Sequence, residues 1–164
     1  MSQKKVLILV GSDSDLKVMQ EAANALDKFK IAFETHIASA HRTPEKVRKL
    51  AGEARQNGFG VIIAGAGMSA HLGGVAAAIT TLPVIGVPLA SGALQGVDAL
   101  LSISQMPRGI PVATVAVGPS GAYNAGLLAA AILAVGDEAL TKKLDDFRRE
   151  LARKVEEKDA ALKR

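Results

Sequence analysis

Cysteine and tryptophan are absent from this 164-residue chain, and four phenylalanines and one tyrosine are its only aromatics, 3% of the sequence. Without cysteine there is no disulfide, no zinc–thiolate site and no thiol nucleophile. With so few aromatics there is no platform on which bases or a flavin would stack. No apolar run is long enough for a membrane span: Ala125–Val135 is interrupted only by Gly126 but falls well short of the roughly 20 residues required. That run reads as a core or interface helix. The net charge of +4 is scattered through segments of mixed sign. Such a pattern argues against nucleic acid as a partner and for phosphate pockets plus a basic exposed face. Met1-Ser2-Gln3-Lys4-Lys5 has no signal-like character, so a cytoplasmic protein is expected.

What the chain does have is Ser39-Ala40-His41-Arg42-Thr43-Pro44, between an apolar strand-like run and a helical one. Thr43 and Pro44 read as N-cap and first helical residue, because Pro has no N–H to lose there, and Glu45 is a favourable first-turn anion. His41 and Arg42 therefore fall where a strand's carboxyl end meets a helix's positive end, the place α/β proteins reserve for anions. An imidazole exchanges protons near neutral pH, and a guanidinium forks onto phosphate. The pair suits proton transfer on a phosphorylated substrate. Taken alone, the six residues also suit a solvated surface turn.

Along the chain, Val6–Val10 is a short aliphatic run ended by Gly11, as expected of a parallel strand buried on both faces. Gly11-Ser12-Asp13-Ser14-Asp15 then opens a helix with Met19, Ala22, Ala23, Leu26 and Phe29 on one face. This turn suits phosphate, with Asp15 an acceptor for sugar hydroxyls, although Ser12 or Asp13 could equally be a plain helix cap. Ile31–Ile37 is the second strand, with His36 a structural or partly exposed residue, and Pro44 to about Gln56 the second helix, closed by Asn57-Gly58. Val61–Ala64 is the third strand, followed by a loop of small residues from Gly65 to Gly74 that lets a ligand approach the backbone closely. His71 falls near the first turn of the next helix, where a structural, hydrogen-bonded imidazole would also fit.

Val84–Pro88 is the fourth strand, a helix runs from the Ser91–Gly96 stretch through Ser104, and Val112–Val117 is the fifth strand. The apolar helix after Gly118 runs through Val135 with almost no polar face, so other subunits are expected to cover it in a homo-oligomer. From about residue 137, Leu140, Leu144, Phe147, Leu151, Val155 and Leu162 recur at mostly helical spacing among charges of both signs, giving one amphipathic terminal helix. No repeat or second domain is seen, and residues 1–164 read as one domain. Alternation of five strands with helices predicts an α/β fold, a three-layer α/β/α sandwich around a parallel five-stranded sheet. The loops that begin at Gly11, Ser39 and Gly65 then share one rim, the ligand crevice of an open sheet.

Four segments together resemble a known family: Gly11-Ser12-x-Ser14-Asp15; Ser39-Ala40-His41-Arg42-Thr43-Pro44; Ala64-Gly65-Ala66-Gly67 with Ala70-His71-Leu72; and Gln105-Met106-Pro107-Arg108-Gly109-Ile110-Pro111. In order and spacing, over nearly the whole chain, they are similar to the N5-carboxyaminoimidazole ribonucleotide mutases of purine biosynthesis, in the class I phosphoribosylaminoimidazole carboxylase family. The resemblance implies a flavodoxin-like fold, usually an octamer whose sites borrow residues from neighbouring subunits. It implies transfer of a carboxylate from the exocyclic nitrogen of a phosphoribosyl-aminoimidazole to ring carbon C4, without ATP, biotin, metal or other cofactor. By the same resemblance Ser12 and Arg42 hold the phosphate, Asp15 the ribose hydroxyls, Ser39 closes that end, and His41 is the catalytic acid and base. Ser14, Gly67, Ser69, Ala70, His71 and Leu72 complete the expected substrate-binding set.

A sister branch carboxylates aminoimidazole ribonucleotide directly and generally lacks the Ala-His-Leu element, so His71 favours the mutase. Met68-Ser69 stands where many mutases have Gly-Ala, Gly73 where Pro is frequent, and Tyr123 where a small residue is common. The rival from another class is a non-catalytic flavodoxin-like module for a nucleotide or phosphate, which explains the Gly/Ser loops but not His41 beside Arg42.

Overall fold

The computed structural model describes residues 4–162; Met1–Gln3, part of the stretch without signal-like character, lie outside it. β1 (Lys5–Val10), β2 (Phe33–Ile37), β3 (Phe59–Gly67), β4 (Val84–Leu89) and β5 (Ala113–Thr114) form one parallel sheet in the order β2-β1-β3-β4-β5. This is the flavodoxin-like strand order. The helices are α1 (Leu16–Lys28), α2 (Pro44–Glu53), α3 (Leu72–Ile79), α4 (Val97–Ser104), α5 (Pro119–Ala134) and α6 (Glu138–Leu162). Among the described residues no helix is long and apolar enough to cross a membrane.

Side chains alternate across a strand, and in β1 both faces are buried, which is why its sequence is uniformly aliphatic. Val6, Ile8 and Val10 join Met19, Leu26, Ala125 and Ala129 in the layer under α1 and α5. Leu7 and Leu9 join Val47, Ala51, Leu72 and Ile103 in the layer under α2, α3 and α4. α1 and α5 approach so closely that a Cβ on Gly126 would lie 2.6 Å from both Ala22 O and Ala25 Cβ.

Several expected boundaries shift for identifiable reasons. β3 runs on to Gly67, so Gly65-Ala66-Gly67 are strand and not loop, paired to Val10 on one side and to Val87, Pro88 and Leu89 on the other. β5 is two residues long and not six. Pro88 accounts for this: its carbonyl accepts from Gly118 N at 2.9 Å, so the N–H that proline lacks would have faced the same side and carried the ladder on. β2 starts at Phe33 because Ile31 is still engaged in closing α1, its N donating to Leu26 O at 3.0 Å. α2 stops at Glu53, and residues 54–58 form turns that end on Gly58 at φ +83°.

α5 packs on the sheet beside α1 and is flanked on its other side by α6. Ala122, Ala125, Ala129 and Ala130 are fully buried within this chain, while Leu127, Leu128, Ile132 and Leu133 are only partly so. α6 is one helix, started by Asp137, whose carboxylate accepts from Leu140 N at 3.0 Å. Its first half packs on the body through Leu140, Leu144 and Phe147, the last edge-on to Phe29 at 5.6 Å. Leu151, Val155 and Leu162 continue the apolar stripe into solvent, at 47, 64 and 82% exposure.

Candidate active site

Because the strands are parallel, their carboxyl ends and the beginnings of the helices that follow meet at one rim. The turn after β1 is organised by Asp13, whose carboxylate accepts from Ser12 Oγ (2.9 Å) and Ser14 N (3.0 Å). Those two bonds hold the Asp13 carboxyl below the usual carboxylate range. Burial pushes Asp15 the other way, upward, and the Ser12 backbone N–H offsets part of that. Of the two cap candidates, Ser12 precedes the short Asp13–Asp15 turn without a side-chain cap bond, whereas the Asp13 carboxylate takes the Ser14 N–H within that turn.

The loop after β2 is braced within itself. Thr43 Oγ1 accepts from Ser39 N at 2.8 Å and lies 3.2 Å from Ser39 O, and Ser39 Oγ accepts from Arg42 N at 3.2 Å. Thr43 precedes Pro44 at the start of α2 as expected, but its hydroxyl ties the loop shut and does not cap the helix. Arg42 Nη2 reaches across to donate to Gly11 O at 3.2 Å, which sets the guanidinium beside the Ser12 turn.

The third side of the rim follows β3. Gly67 lets the strand approach the next loop closely: a Cβ there would fall 2.0 Å from Ser91 Oγ and 3.3 Å from Leu89 O, so the serine hydroxyl would have to turn away. Met68 adopts φ +54°, and the chain then turns through Ser69 into α3 with His71 N donating to Ser69 O at 2.8 Å. His71 Nδ1 stands 2.9 Å from His41 Nε2, the rings nearly perpendicular at 79°. The two histidines, 30 positions apart in sequence, are a hydrogen-bonded pair.

These three loops enclose a cavity of about 500 Å³, a size suited to a small metabolite. Ser12, Ser14, Asp15, Ser39, His41, Arg42, Gly67, Ser69, His71 and Leu72 all line it. Ala70 does not: it is 1% exposed and turned into the core, and only its backbone serves the loop. Ser91, after β4, is a wall residue the sequence reading missed; its place at the carboxyl end of the next strand was the available signal. The Met106–Pro111 motif lies elsewhere, with Met106 against Gly74 and Gly109–Pro111 at the amino ends of β4 and β5. His36 faces Glu34 at 3.6 Å on β2, in keeping with a partly exposed structural residue. Within this chain the mouth is open, with His41, Arg42, Ser69 and His71 all exposed.

The family model described as AIR carboxylase matches residues 5–154. The chain belongs to the AIR carboxylase family. Its relatives include N5-carboxyaminoimidazole ribonucleotide mutases of Brucella melitensis biotype 1, 54% identical over 93% of this chain and 94% of that one, and of Bacillus subtilis strain 168, 55% identical over 89% and 90%. The crystal structure of Treponema denticola PurE superposes with a TM-score of 0.89 at 32% identity, covering 98% of this chain and 99% of that one. Met68 is at the cavity wall, Gly73 sits in α3 where a Cβ would make ordinary contact with Val112 at 3.5 Å, and Tyr123 lines a separate small hollow with Glu21 and Asn124.

Proposed function

We propose that this chain works as an N5-carboxyaminoimidazole ribonucleotide mutase, converting its substrate to 4-carboxy-5-aminoimidazole ribonucleotide in purine biosynthesis. The observation that carries the reading is the grouping of His41, its partner His71, Arg42 and Asp15 around one cavity in a chain with mutase relatives 54–55% identical. Arg42 and Ser12 take the substrate phosphate, and Asp15, an acceptor two residues into the same turn, takes the ribose hydroxyls. Ser39 and Ser14 close that end. The aminoimidazole ring then lies between His41 and the Gly67–Leu72 wall.

In the protonated form His41 gives a proton to the exocyclic nitrogen as the N–CO₂ bond breaks, the bonding pair staying on nitrogen. Neutral carbon dioxide is left beside an enamine-like ring. The ring's electron pair at C4 forms the new bond to the carbon of CO₂, and His41 removes the C4 proton, restoring aromaticity. One proton goes in and one comes out, so a single imidazole serves both steps. Caging a neutral gas requires a dry, close-fitting pocket. The open mouth of the single chain and the exposed apolar residues Leu94, Val97 and Leu101 support a homo-oligomer, an octamer by resemblance, that closes it. The same resemblance supports a cytoplasmic enzyme.

The test uses substrate labelled in its carboxylate, with purified protein and no ATP. Label reaching C4 faster than it exchanges with unlabelled bicarbonate is the expected result. Label reaching C4 only through the bicarbonate pool would replace the mutase with a direct carboxylase, and binding without any transfer would leave a nucleotide-binding module.

A further inference from the structure

Resting on the mutase reading, we propose that His71 is a positioning residue for His41, accepting a hydrogen bond from His41 Nε2–H in both its acid and base forms and so reserving His41 Nδ1 for the proton that moves. His41 Nε2 and His71 Nδ1 are in hydrogen-bond contact at 2.9 Å. Among the described residues no other partner is found for either ring's second nitrogen. In such a contact one nitrogen donates and the other accepts.

Two arrangements of the proton satisfy the geometry when both rings are neutral. If His71 Nδ1–H donates, His41 carries its own proton on Nδ1, its bare Nε2 is occupied, and it has no nitrogen free to take the C4 proton. If His41 Nε2–H donates, Nδ1 is bare and ready. In the imidazolium form both nitrogens of His41 carry protons, so Nε2–H again donates and Nδ1–H is the proton available to the exocyclic nitrogen. Only the second arrangement keeps the contact intact through both proton steps.

The surroundings favour His71 as the stationary acceptor. Its backbone is bolted by the buried side chains of Ala70 and Leu72 on either side and by the His71 N to Ser69 O bond. A second positive charge there would sit beside the first and at the positive end of α3. Among the described residues, the other charged groups on the cavity wall are Arg42 on the His41 loop and Asp15 on the turn after β1, with Asp13 behind it on the same turn; Met68, Ser69 and Ser91 from the remaining sides carry no charge. The relation matches the aspartate–histidine link of hydrolase triads, with a neutral imidazole as the orienting group.

Nitrogen-15 NMR of the ligand-free protein reads the arrangement directly, independently of turnover. His41 is expected as the Nε2–H tautomer when neutral, and His71→Leu should turn it into a mixture, lower kcat by roughly 10²-fold, alter the pH profile and leave KM nearly unchanged. His71→Asn places an amide oxygen where Nδ1 stood and should restore both tautomer and rate, whereas His71→Gln, equally polar, should not. His71 stands at the N-cap position of α3 with an αR backbone (φ −80°, ψ −9°) in place of the extended one from which a cap side chain reaches the first turn, and its own ring makes no cap bond, so the asparagine amide is left for His41. An unchanged His41 tautomer in His71→Leu, or equal rescue by Asn and Gln, would overturn the proposal. Should the wild-type protein move no label to C4, it is the mutase reading that falls, and the tautomer spectra still decide the pairing for or against.

Discussion

Two hollows of similar volume lie at opposite ends of the sheet. One, about 500 Å³, is at the carboxyl ends of β1, β2 and β3; the other, about 570 Å³, is at the amino ends of β4 and β5. The larger is lined by Ala77, Ala78, Ile79, Leu82, Pro83, Ile110 and Pro111, with Thr80 and Thr81, and among the described residues no ionisable side chain is on its wall. Volume therefore does not mark the site, and strand direction does. The carboxyl-end cavity faces the beginnings of helices, where N–H groups and partial positive charge welcome an anion. The amino-end hollow receives the finish of α3, whose exposed carbonyls repel one.

The sharpest way to test that contrast is His41→Asn, which removes the proton carrier while keeping a polar side chain. Carboxyl transfer should fall by roughly 10³-fold, with substrate binding by calorimetry largely retained, as expected of general acid–base catalysis. Retained turnover would remove His41 from the chemistry. Arg42→Ala comes next: loss of a charge-assisted bond to phosphate should raise KM by roughly 10- to 100-fold with little change in kcat. Ala78→Leu, which fills part of the amino-end hollow, is the control and should leave both constants within about twofold, as for substitutions remote from a site.

The contrast was legible in the sequence only in part. The Gly11, Ser39 and Gly65 segments announce one rim because strand–loop–helix order alone puts them there, and His41 beside Arg42 gives that rim its chemistry. Layer identity followed from uniform aliphatic runs, which parallel strands require. Gly65-Ala66-Gly67 has loop composition and yet is strand; Met19 and Ser91 pack against those glycines, and no local rule reports a neighbour that distant. Thr43 reads as a cap from its position before Pro44, but Ser39, four residues earlier, competes for its hydroxyl. Ala70 illustrates the limit of carrying a motif over as a block, since neighbouring residues of one loop face opposite ways.

Asp15 gives a smaller effect whose sign can be worked out. Burial raises its folded-state pKa, so the folded protein holds the proton to higher pH than the unfolded chain does. Its contribution to stability is most favourable below the ordinary carboxylate range and is lost as pH rises through the raised value, after which the penalty stands in full. Asp15→Asn should therefore gain in urea midpoint relative to the parent across that window and hold the gain at neutral pH, while substrate binding weakens by roughly tenfold from the lost ribose acceptor. Asp13 works in reverse, its stabilisation fully present above the ordinary carboxylate range and lost as pH falls from there through its lowered value. A midpoint difference that shrank with rising pH would mean that hydrogen bonds, and not burial, dominate at Asp15.

The smallest effect is expected at Met68, where two terms oppose each other. Its φ of +54° is a left-handed backbone that costs a non-glycine residue about 1 kcal/mol, and glycine would relieve that strain. Its side chain, however, lies over Gly92, with Cγ 3.7 Å from where a Cβ there would stand, and so links the loops after β3 and β4 across the cavity mouth. Glycine would also be freer in the unfolded chain, which offsets part of the relieved strain. Met68→Gly should consequently change unfolding free energy by less than about 1 kcal/mol in either direction, measured by chemical denaturation. A loss above roughly 2 kcal/mol would show that packing across the mouth outweighs backbone strain, and would make the Met68–Gly92 contact a structural link between the two loops.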